Sequence, residues 1–268
     1  MLQIQRPDVF HVGAAYESYV GRWSRAVAVA FIDWLALPAQ RRWLDVGCGT
    51  GALTEIILAR AAPVGVTGID SSEGFLAHAR RHLQDSRATF QSGNAEAMPF
   101  PDGTFDAAVC GLVLNFVAHP EKAIAEMSRT LRAGGTAAVY VWDYSGKMQL
   151  MRYFWDSAVA LDADALTRND ARRFSMCQPE PLRVLFERGG FNRCECRSID
   201  VPTVFANFDE YWSPFLGGQG SAPAYCSSLT DRHRSRLREH LRAALPTERD
   251  GAIRLNARAW AVRGVKPI

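Results

Sequence analysis

Between residues 43 and 142 the chain alternates short, almost wholly apolar runs with segments whose apolar residues recur at helical spacing. Strands that are apolar on both faces are typical of a parallel sheet buried between two helical layers. Because parallel strands are joined by right-handed crossovers, the alternation predicts a doubly wound α/β fold with a mostly parallel sheet. The predicted strands are 43–46, 64–69, 88–91, 105–114, 136–142, 194–204 and 257–263.

Length and composition predict one domain over residues 1–268, since 48% of the chain is hydrophobic and 22% is charged. Two segments, 145–178 and 206–249, interrupt the strand–helix rhythm and carry large aromatic residues. Both follow predicted strands, so we expect them to form helical cap insertions over the carboxyl edge of the sheet. The aromatic residues that we expect to contact a substrate are Trp142, Trp155, Trp212 and Phe215.

The first predicted strand runs directly into three glycines at alternate positions, within the segment Gly47, Cys48, Gly49, Thr50 and Gly51. Glycines permit tight turns and close backbone approach, and the following helix offers unpaired N–H groups to a ligand. Nicotinamide and flavin loops place the third glycine one position later, where this chain has Ala52. The loop alone would also fit a ligand-free strand-to-helix turn.

With Asp45 before it, this loop resembles motif I of the class I S-adenosylmethionine-dependent methyltransferases. Asp70 ends the second predicted strand 23 residues after Gly47, where such folds place a ribose-binding acid. The stretch 93–106 resembles that of small-molecule enzymes of the ubiquinone/menaquinone-biosynthesis group, and 131–135 resembles the turn before their fifth strand. The resemblance covers roughly residues 16–141 and implies a Rossmann-like methyltransferase fold.

The resemblance also implies the cofactor S-adenosyl-L-methionine and a role for particular residues in binding it. Asp70 would accept the ribose hydroxyls, Asn94 the adenine amino group, and the Ala95 N–H would reach an adenine ring nitrogen. Arg22 would pair with the cofactor carboxylate and Tyr19 would cover the sulfonium. The full set of cofactor-binding residues implied is Tyr19, Arg22, Asp45, Gly47, Cys48, Gly49, Thr50, Gly51, Asp70, Ser71, Asn94, Ala95 and Gly111.

Methyl transfer to a small-molecule acceptor needs an in-line arrangement first, and a base only if the acceptor loses a proton early. His119, Asp143 and Tyr144 are the candidate catalytic residues, because they follow the fourth and fifth predicted strands. Each residue also has a structural interpretation: His119 would start a helix, and Asp143 and Tyr144 would pack at the end of a strand.

Several other functions are disfavoured by what stands after the fourth and fifth strands. The segment 111–116 lacks the Asn/Asp-Pro-Pro-aromatic motif of DNA amino-methyltransferases, and 115–119 lacks the clustered acids of metal-dependent catechol enzymes. Residues 140–144 lack the Glu-x-Ser of the quinone enzymes, which weakens a quinone as the substrate. One alternative stays open, an S-adenosylmethionine-binding protein that catalyses a non-transfer reaction such as a pericyclic one.

Composition limits the partners. A net charge of +3 is too balanced to indicate nucleic acid, and the basic run 232–242 has the spacing of an amphipathic helix. We expect no membrane span, export signal or metal site, and we interpret the six scattered cysteines as free thiols of a cytoplasmic protein.

Overall fold

The computed structural model describes residues 22–217 and 220–268, and only the backbone of Arg22. The Tyr19 prediction and the side-chain role predicted for Arg22 therefore lie outside the described residues. The α-helices are α1 (Arg22–Leu35), α2 (Ala52–Arg60), α3 (Glu73–His82), α4 (Pro120–Thr130), α5 (Gln149–Leu161), α6 (Asp170–Arg173), α7 (Pro179–Arg188), α8 (Phe208–Trp212), α9 (Ser221–Ser228) and α10 (Asp231–Ala244). Short 3-10 helices lie at Leu114–Phe116, Ala163–Arg168 and Ser213–Leu216.

The described strands are β1 (Arg42–Val46), β2 (Gly65–Asp70), β3 (Ala88–Ser92), β4 (Phe105–Gly111), β5 (Leu131–Trp142), β6 (Asn192–Phe205) and β7 (Ile253–Val265). They form one sheet in the order β3-β2-β1-β4-β5-β7-β6. Neighbours from β3 to β5 pair in parallel, and β7 is antiparallel to both β5 and β6. The predicted doubly wound, mostly parallel sheet is confirmed.

Three local expectations were wrong. The fourth strand ends at Gly111 rather than 114, because Leu112 takes a left-handed backbone conformation (φ 60°) and its N–H turns to the Tyr140 carbonyl (2.8 Å). The fifth strand begins at Leu131, before the Gly134-Gly135 pair that was expected to precede it. From sequence, Ser24 is expected to be the N-cap of a helix that runs to Leu35, but the described helix already includes Ser24, so that expectation was wrong.

Both interrupting segments leave the carboxyl edge of the sheet. Trp142 at the end of β5 pairs with Ala259, and β6 runs past that level to Phe205, opposite Ile253. The segments fold into helices α5, α6, α8, α9 and α10, whose apolar faces pack against one another and against the sheet. The assignment of 145–178 and 206–249 as cap insertions of a single domain stays a prediction. Across the part of the chain that the structure describes, no helix has the length and apolar character to cross a membrane.

Candidate active site

A cleft lies where β1 and β4 end side by side, the point at which the strand order reverses. Ligands of open α/β sheets bind at such a reversal, just beyond the carboxyl ends of the strands. The cleft is lined by residues from helix α1, from the loop after β1, from the end of β2, from α3, from the loop after β4, and from β5. Its lining residues are Ser24, Asp45, Gly47, Cys48, Gly49, Thr50, Ala52, Leu53, Asp70, Phe75, Gly111, Leu112, Val113, Phe116 and Tyr140.

The glycine loop is held against β2 and against the loop after β4. The N–H groups of Gly47 and Cys48 both donate to the Ile69 carbonyl, at 2.7 and 3.0 Å. Gly47 has a φ of +70°, and a Cβ there would stand 2.6 Å from the Val113 side chain. Gly49 has a φ of +53°, yet a Cβ there would meet nothing within 4 Å. The first glycine is therefore required by packing, and the second leaves space on the cleft side.

Asp70 ties the glycine loop to the next helix. One carboxylate oxygen accepts the Gly49 N–H (2.9 Å) and the other accepts the Ser72 N–H (2.8 Å). Ser72 in turn caps α3 by accepting from the Phe75 N–H. Burial raises the pKa of Asp70, and these backbone donors oppose that rise. Each oxygen retains a lone pair that a ligand hydroxyl could use.

Asp45 lies deeper, with 1% of its surface exposed. Its Oδ2 accepts the Thr54 hydroxyl at 2.6 Å, while its Oδ1 is buried without a hydrogen-bond partner. Burial raises the pKa of Asp45 to about 7; the Thr54 bond opposes this rise and the nearby charge of Asp70 adds to it. A buried carboxylate oxygen without a donor is costly, so this position favours a bound cation or a hydrogen-bond donor.

The residues predicted for the adenine lie beside the cleft rather than in its lining. Asn94 follows β3, and the preceding Gly93 N–H donates to the Asp70 carbonyl at 3.0 Å. The exposed Asn94 side chain accepts the Glu96 N–H through its Oδ1 (2.9 Å), in a tight turn that includes Ala95. The structure thus brings Asn94 and Ala95 next to Asp70 along the carboxyl edge. Gly51 and Ser71 also lie just outside the lining.

The lining also contains residues that the sequence reasoning missed. They are Ser24, Ala52, Leu53, Phe75, Leu112, Val113, Phe116 and Tyr140. Gly111 was predicted to bind the cofactor. A Cβ at this position would lie 2.5 Å from the Tyr140 hydroxyl, so glycine leaves the space that the Tyr140 side chain occupies. The signal that could have found Leu112 and Val113 is positional, since they directly follow the strand that pairs with β1.

The three candidate catalytic residues lie outside the lining of this cleft. His119 is exposed at the start of α4, with Nδ1 3.5 Å from a Glu121 carboxylate oxygen. Asp143 is buried and closes a turn, accepting from the Lys147 N–H and the Gln178 side-chain amide, each at 3.0 Å. The Tyr144 ring is buried 5.2 Å from that of Phe174. Catalytic roles for these residues stay predictions.

The four predicted substrate aromatics are buried. Trp142 ends β5, and the Trp155 indole N–H donates to Asp170 at 3.0 Å. Trp212 ends α8 and Phe215 lies in the 3-10 helix that follows it, with their ring centroids 6.1 Å apart. Phe154 stacks on Phe215 and contacts Trp155, so these rings join within the helical layer. Substrate contact by any of the four stays a prediction.

The described residues contain no cluster of three or more His, Cys, Asp or Glu side chains suited to a metal ion. Burial raises the pKa of the Cys48 thiol, the cysteine in the glycine loop, well above its usual range. A neutral thiol at this position is suited to packing against the ligand rather than to nucleophilic attack.

Comparison with known proteins finds matches for the part of the chain that contains most of the cleft residues. Residues 44–139 match the family model of a methyltransferase domain. Over 97 residues the chain is 44% identical to the demethylmenaquinone methyltransferase of Symbiobacterium thermophilum, covering 34% of this chain and 39% of that protein. The matches span between 39% and 53% of the first three curated relatives.

Solved structures extend the likeness over nearly the whole chain. The YcgJ protein of Bacillus subtilis has a TM-score of 0.60 and 17% identity, covering 91% of this chain and 99% of that one. Phosphoethanolamine N-methyltransferase 2 of Haemonchus contortus, solved with S-adenosyl-L-methionine, has a TM-score of 0.58 and 17% identity, covering 95% of this chain and 56% of that one. At such identities the likeness shows the fold alone.

Proposed function

We propose, from the premise that residues 44–139 belong to the class I S-adenosylmethionine-dependent methyltransferases, that this chain transfers a methyl group from S-adenosylmethionine to a small molecule. The cleft at the ends of β1 and β4 would hold the cofactor. The catalytic activity rests on this family membership and on how well the residues of the cleft suit the cofactor.

The observation that carries the proposal is the unpaired Oδ1 of Asp45 behind the glycine loop. S-adenosylmethionine carries an ammonium group and a sulfonium, so its positive charges suit a cleft that contains the carboxylates of Asp45 and Asp70. A dinucleotide would instead bring a pyrophosphate dianion to the glycine loop, close to the Asp45 carboxylate, which like-charge repulsion disfavours. The cleft thus favours the methyl donor over nicotinamide or flavin dinucleotides.

The chain's own residues would bind and orient the reactants. Asp70 accepts the ribose hydroxyls, Asp45 accepts the ammonium group, and the open space at Gly49 admits the ligand close to the backbone. Leu112, Val113 and Phe116 supply an apolar wall that excludes water. The cofactor itself supplies an activated methyl group on sulfur. Methyl transfer is a direct displacement, so holding acceptor, methyl group and sulfur in line would supply much of the rate enhancement.

The proposal also states that the methyl acceptor is a small molecule. The curated relatives are named for quinone methylation, whereas this chain lacks the Glu-x-Ser expected of those enzymes between residues 140 and 144. The balanced charge of +3 supports an acceptor other than nucleic acid. We also place the protein in the cytoplasm, away from the membrane, on its mixed composition and scattered cysteines.

Two measurements test the proposal. Calorimetry should give micromolar binding of S-adenosylmethionine and S-adenosylhomocysteine and no heat with NADH. A metabolite extract incubated with cofactor labelled at the methyl group should then yield a labelled product by mass analysis. Binding of NADH without either sulfur ligand would overturn the cofactor assignment, and binding without any labelled product would favour a non-transfer reaction.

A further inference from the structure

Phe116, which lines the cleft, belongs to a cluster of three aromatic rings with Phe174 and the buried Tyr144, and we call this cluster the aromatic wall. Phe116 is 42% exposed, so part of its ring is accessible at the cleft. Its ring meets that of Phe174 edge to face at 5.1 Å, and Phe174 lies 5.2 Å from Tyr144. The wall therefore continues the surface of the cleft outward onto the segment that follows β5.

The position of Phe174 is fixed by a buried anchor. It directly follows α6, whose first residue, Asp170, is buried. The Asp170 carboxylate accepts the Trp155 indole N–H at 3.0 Å and the Ser221 hydroxyl at 2.5 Å. Trp155 and Ser221 belong to α5 and α9, so three helices converge on one carboxylate. This hydrogen-bonded carboxylate holds Phe174 against Phe116, and the buried Trp155 helps to position Phe174 through its bond to Asp170.

Positive charge borders the wall on its outer side. The Arg173 guanidinium lies 4.9 Å from the centre of the Phe174 ring and 3.3 Å from an Asp170 oxygen. Arg172 is exposed, and Thr167, Arg172, Arg173 and Phe174 line a shallow depression beyond the ring. A cationic acceptor would meet like charge here, whereas an anionic or electron-rich group would be attracted.

We propose that the aromatic wall binds the methyl acceptor, and that this acceptor is a flat aromatic molecule with an anionic or hydroxylated group directed toward Arg172 and Arg173. The identification of the ligand as the acceptor rests on the proposed function. Flat rings gain offset or edge-to-face contacts on Phe116 and Phe174 in addition to apolar burial. Phe116 belongs both to the cleft and to the wall, so a ring seated on it lies next to the cofactor site.

The test uses three naphthalene probes that share one ring system and differ in charge: hydroxynaphthoate, naphthol and naphthylmethylamine. Their dissociation constants are measured by fluorescence on the full chain and on Phe116→Ala and Phe174→Ala. Leu166→Ala serves as the matched control, because Leu166 is an exposed apolar residue of the same segment outside the wall. Phe174→Leu keeps the apolar bulk without the aromatic ring, and it replaces the alanine variant if circular dichroism shows that variant unfolded.

We expect hydroxynaphthoate to bind tightest and naphthylmethylamine weakest. Each alanine variant of the wall should weaken hydroxynaphthoate binding by about tenfold, while Leu166→Ala leaves it unchanged. Arg172→Gln should reduce the difference between the dissociation constants of hydroxynaphthoate and naphthol. Equal binding by the wall variants and the control, or tightest binding of the ammonium probe, would overturn the proposal.

A separate titration with S-adenosylhomocysteine distinguishes this inference from the proposed function. Phe174→Ala should leave that dissociation constant within about threefold, because Phe174 lies outside the cofactor cleft. If the wild-type chain binds hydroxynaphthoate at the wall but no sulfur ligand, the cofactor assignment fails and the wall stands. If it binds the sulfur ligand and the wall variants lose nothing, the wall fails and the cofactor assignment stands.

Discussion

Asp70 and Asp45 line the same cleft, but the protein holds them in different ways. Both oxygens of Asp70 accept backbone N–H groups, so this carboxylate has a structural task before any ligand arrives. Asp45 has one oxygen bonded to Thr54 and one without a donor. We therefore expect substitution of Asp70 to affect both binding and folding, and Asp45 to respond chiefly to pH and to the ligand.

Replacing Asp70 by Ala should raise the dissociation constant of S-adenosylmethionine by between about tenfold and hundredfold, since a hydrogen bond to a charged group contributes about 1.5–3 kcal/mol. The variant should also lose about 1–3 kcal/mol of unfolding free energy, because the Gly49 and Ser72 N–H groups lose their acceptor. Calorimetry and urea unfolding measure the two effects. Asp70→Asn keeps an acceptor oxygen and should lose less stability. An unchanged dissociation constant in Asp70→Ala would remove this residue from the site.

Cofactor affinity should depend on pH through Asp45. In the ligand-free protein its pKa is raised to about 7, so a cation must bind to a site that is increasingly protonated below that pH. Affinity should fall as pH drops from about 8 to about 6, by at most about tenfold per pH unit below the pKa. Calorimetry across that range checks this, and Asp45→Asn should flatten the profile. The same slope in Asp45→Asn would assign the effect to another group.

The same pKa gives the sign of a stability effect. A carboxyl group that holds its proton more tightly in the folded state stabilises that state below its unfolded pKa, near 4, and this contribution is lost as pH rises to about 7. The ligand-free protein should therefore lose stability over that window, and Asp45→Asn should lose less. Thermal unfolding of both proteins at matched pH values measures the difference, and equal losses would contradict the assignment.

At the scale of elements, the glycine loop uses two of its glycines for different reasons. Gly47 has no Cβ, and this leaves room for the Val113 side chain, which belongs to the loop after β4. Gly49 faces open space, and its N–H is held by Asp70. The position of Gly47 thus allows two loops to pack together, while the space at Gly49 is where we propose that the ligand approaches the backbone.

Alanine at these two positions should give opposite results. Gly49→Ala should fold with a modest loss of about 1–2 kcal/mol from its positive φ, and should lose cofactor binding because the new Cβ takes up open space at a residue that lines the cleft. Gly47→Ala adds a clash with Val113 and should be the less stable protein by urea unfolding. Normal cofactor affinity in a folded Gly49→Ala protein would mean that the loop is only a turn.

Features that depend on neighbours in sequence could be predicted, and features that depend on distant packing could not. The apolar runs of β1 and β2, and the glycines between β1 and α2, carry their own backbone preferences, so the sheet and much of the glycine-loop side of the cleft were found from sequence. The left-handed Leu112 carries no such local signal. The contact between Phe116 and Phe174 joins segments 58 residues apart and depends on how the helices after β5 pack.

At the scale of the whole molecule, the sheet is completed by a strand from the far end of the sequence. β7 lies between β5 and β6, and within the described residues it is the strand through which β6 joins the sheet. Its register with β6 runs from Asn192 opposite Val265 to Phe205 opposite Ile253. The position of the helices between β6 and β7 therefore depends on the pairing of β7 with β5 and β6.

Deleting residues 253–268 should prevent cooperative folding, because β5 loses an edge partner and β6 loses its place in the sheet. Deleting only residues 267–268, which lie beyond Lys266 and its bond to the Leu131 carbonyl, should leave the unfolding midpoint unchanged. Thermal unfolding by circular dichroism and size-exclusion chromatography test both proteins. A monomeric, cooperatively folding product of the longer deletion would show that β7 is dispensable.

The position of β7 between β5 and β6 has a consequence for how the protein is made. On the ribosome, β1 to β5 emerge first and can pair with one another, while β6 must wait until residues 253–265 have been translated and released. During that interval the nascent chain presents the unpaired edges of β5 and β6, the kind of surface to which chaperones and other unfinished chains bind. Slow translation of the segment between β6 and β7 should therefore favour aggregation of the nascent protein, even though the cleft residues of β1, β2 and β4 have already been synthesised.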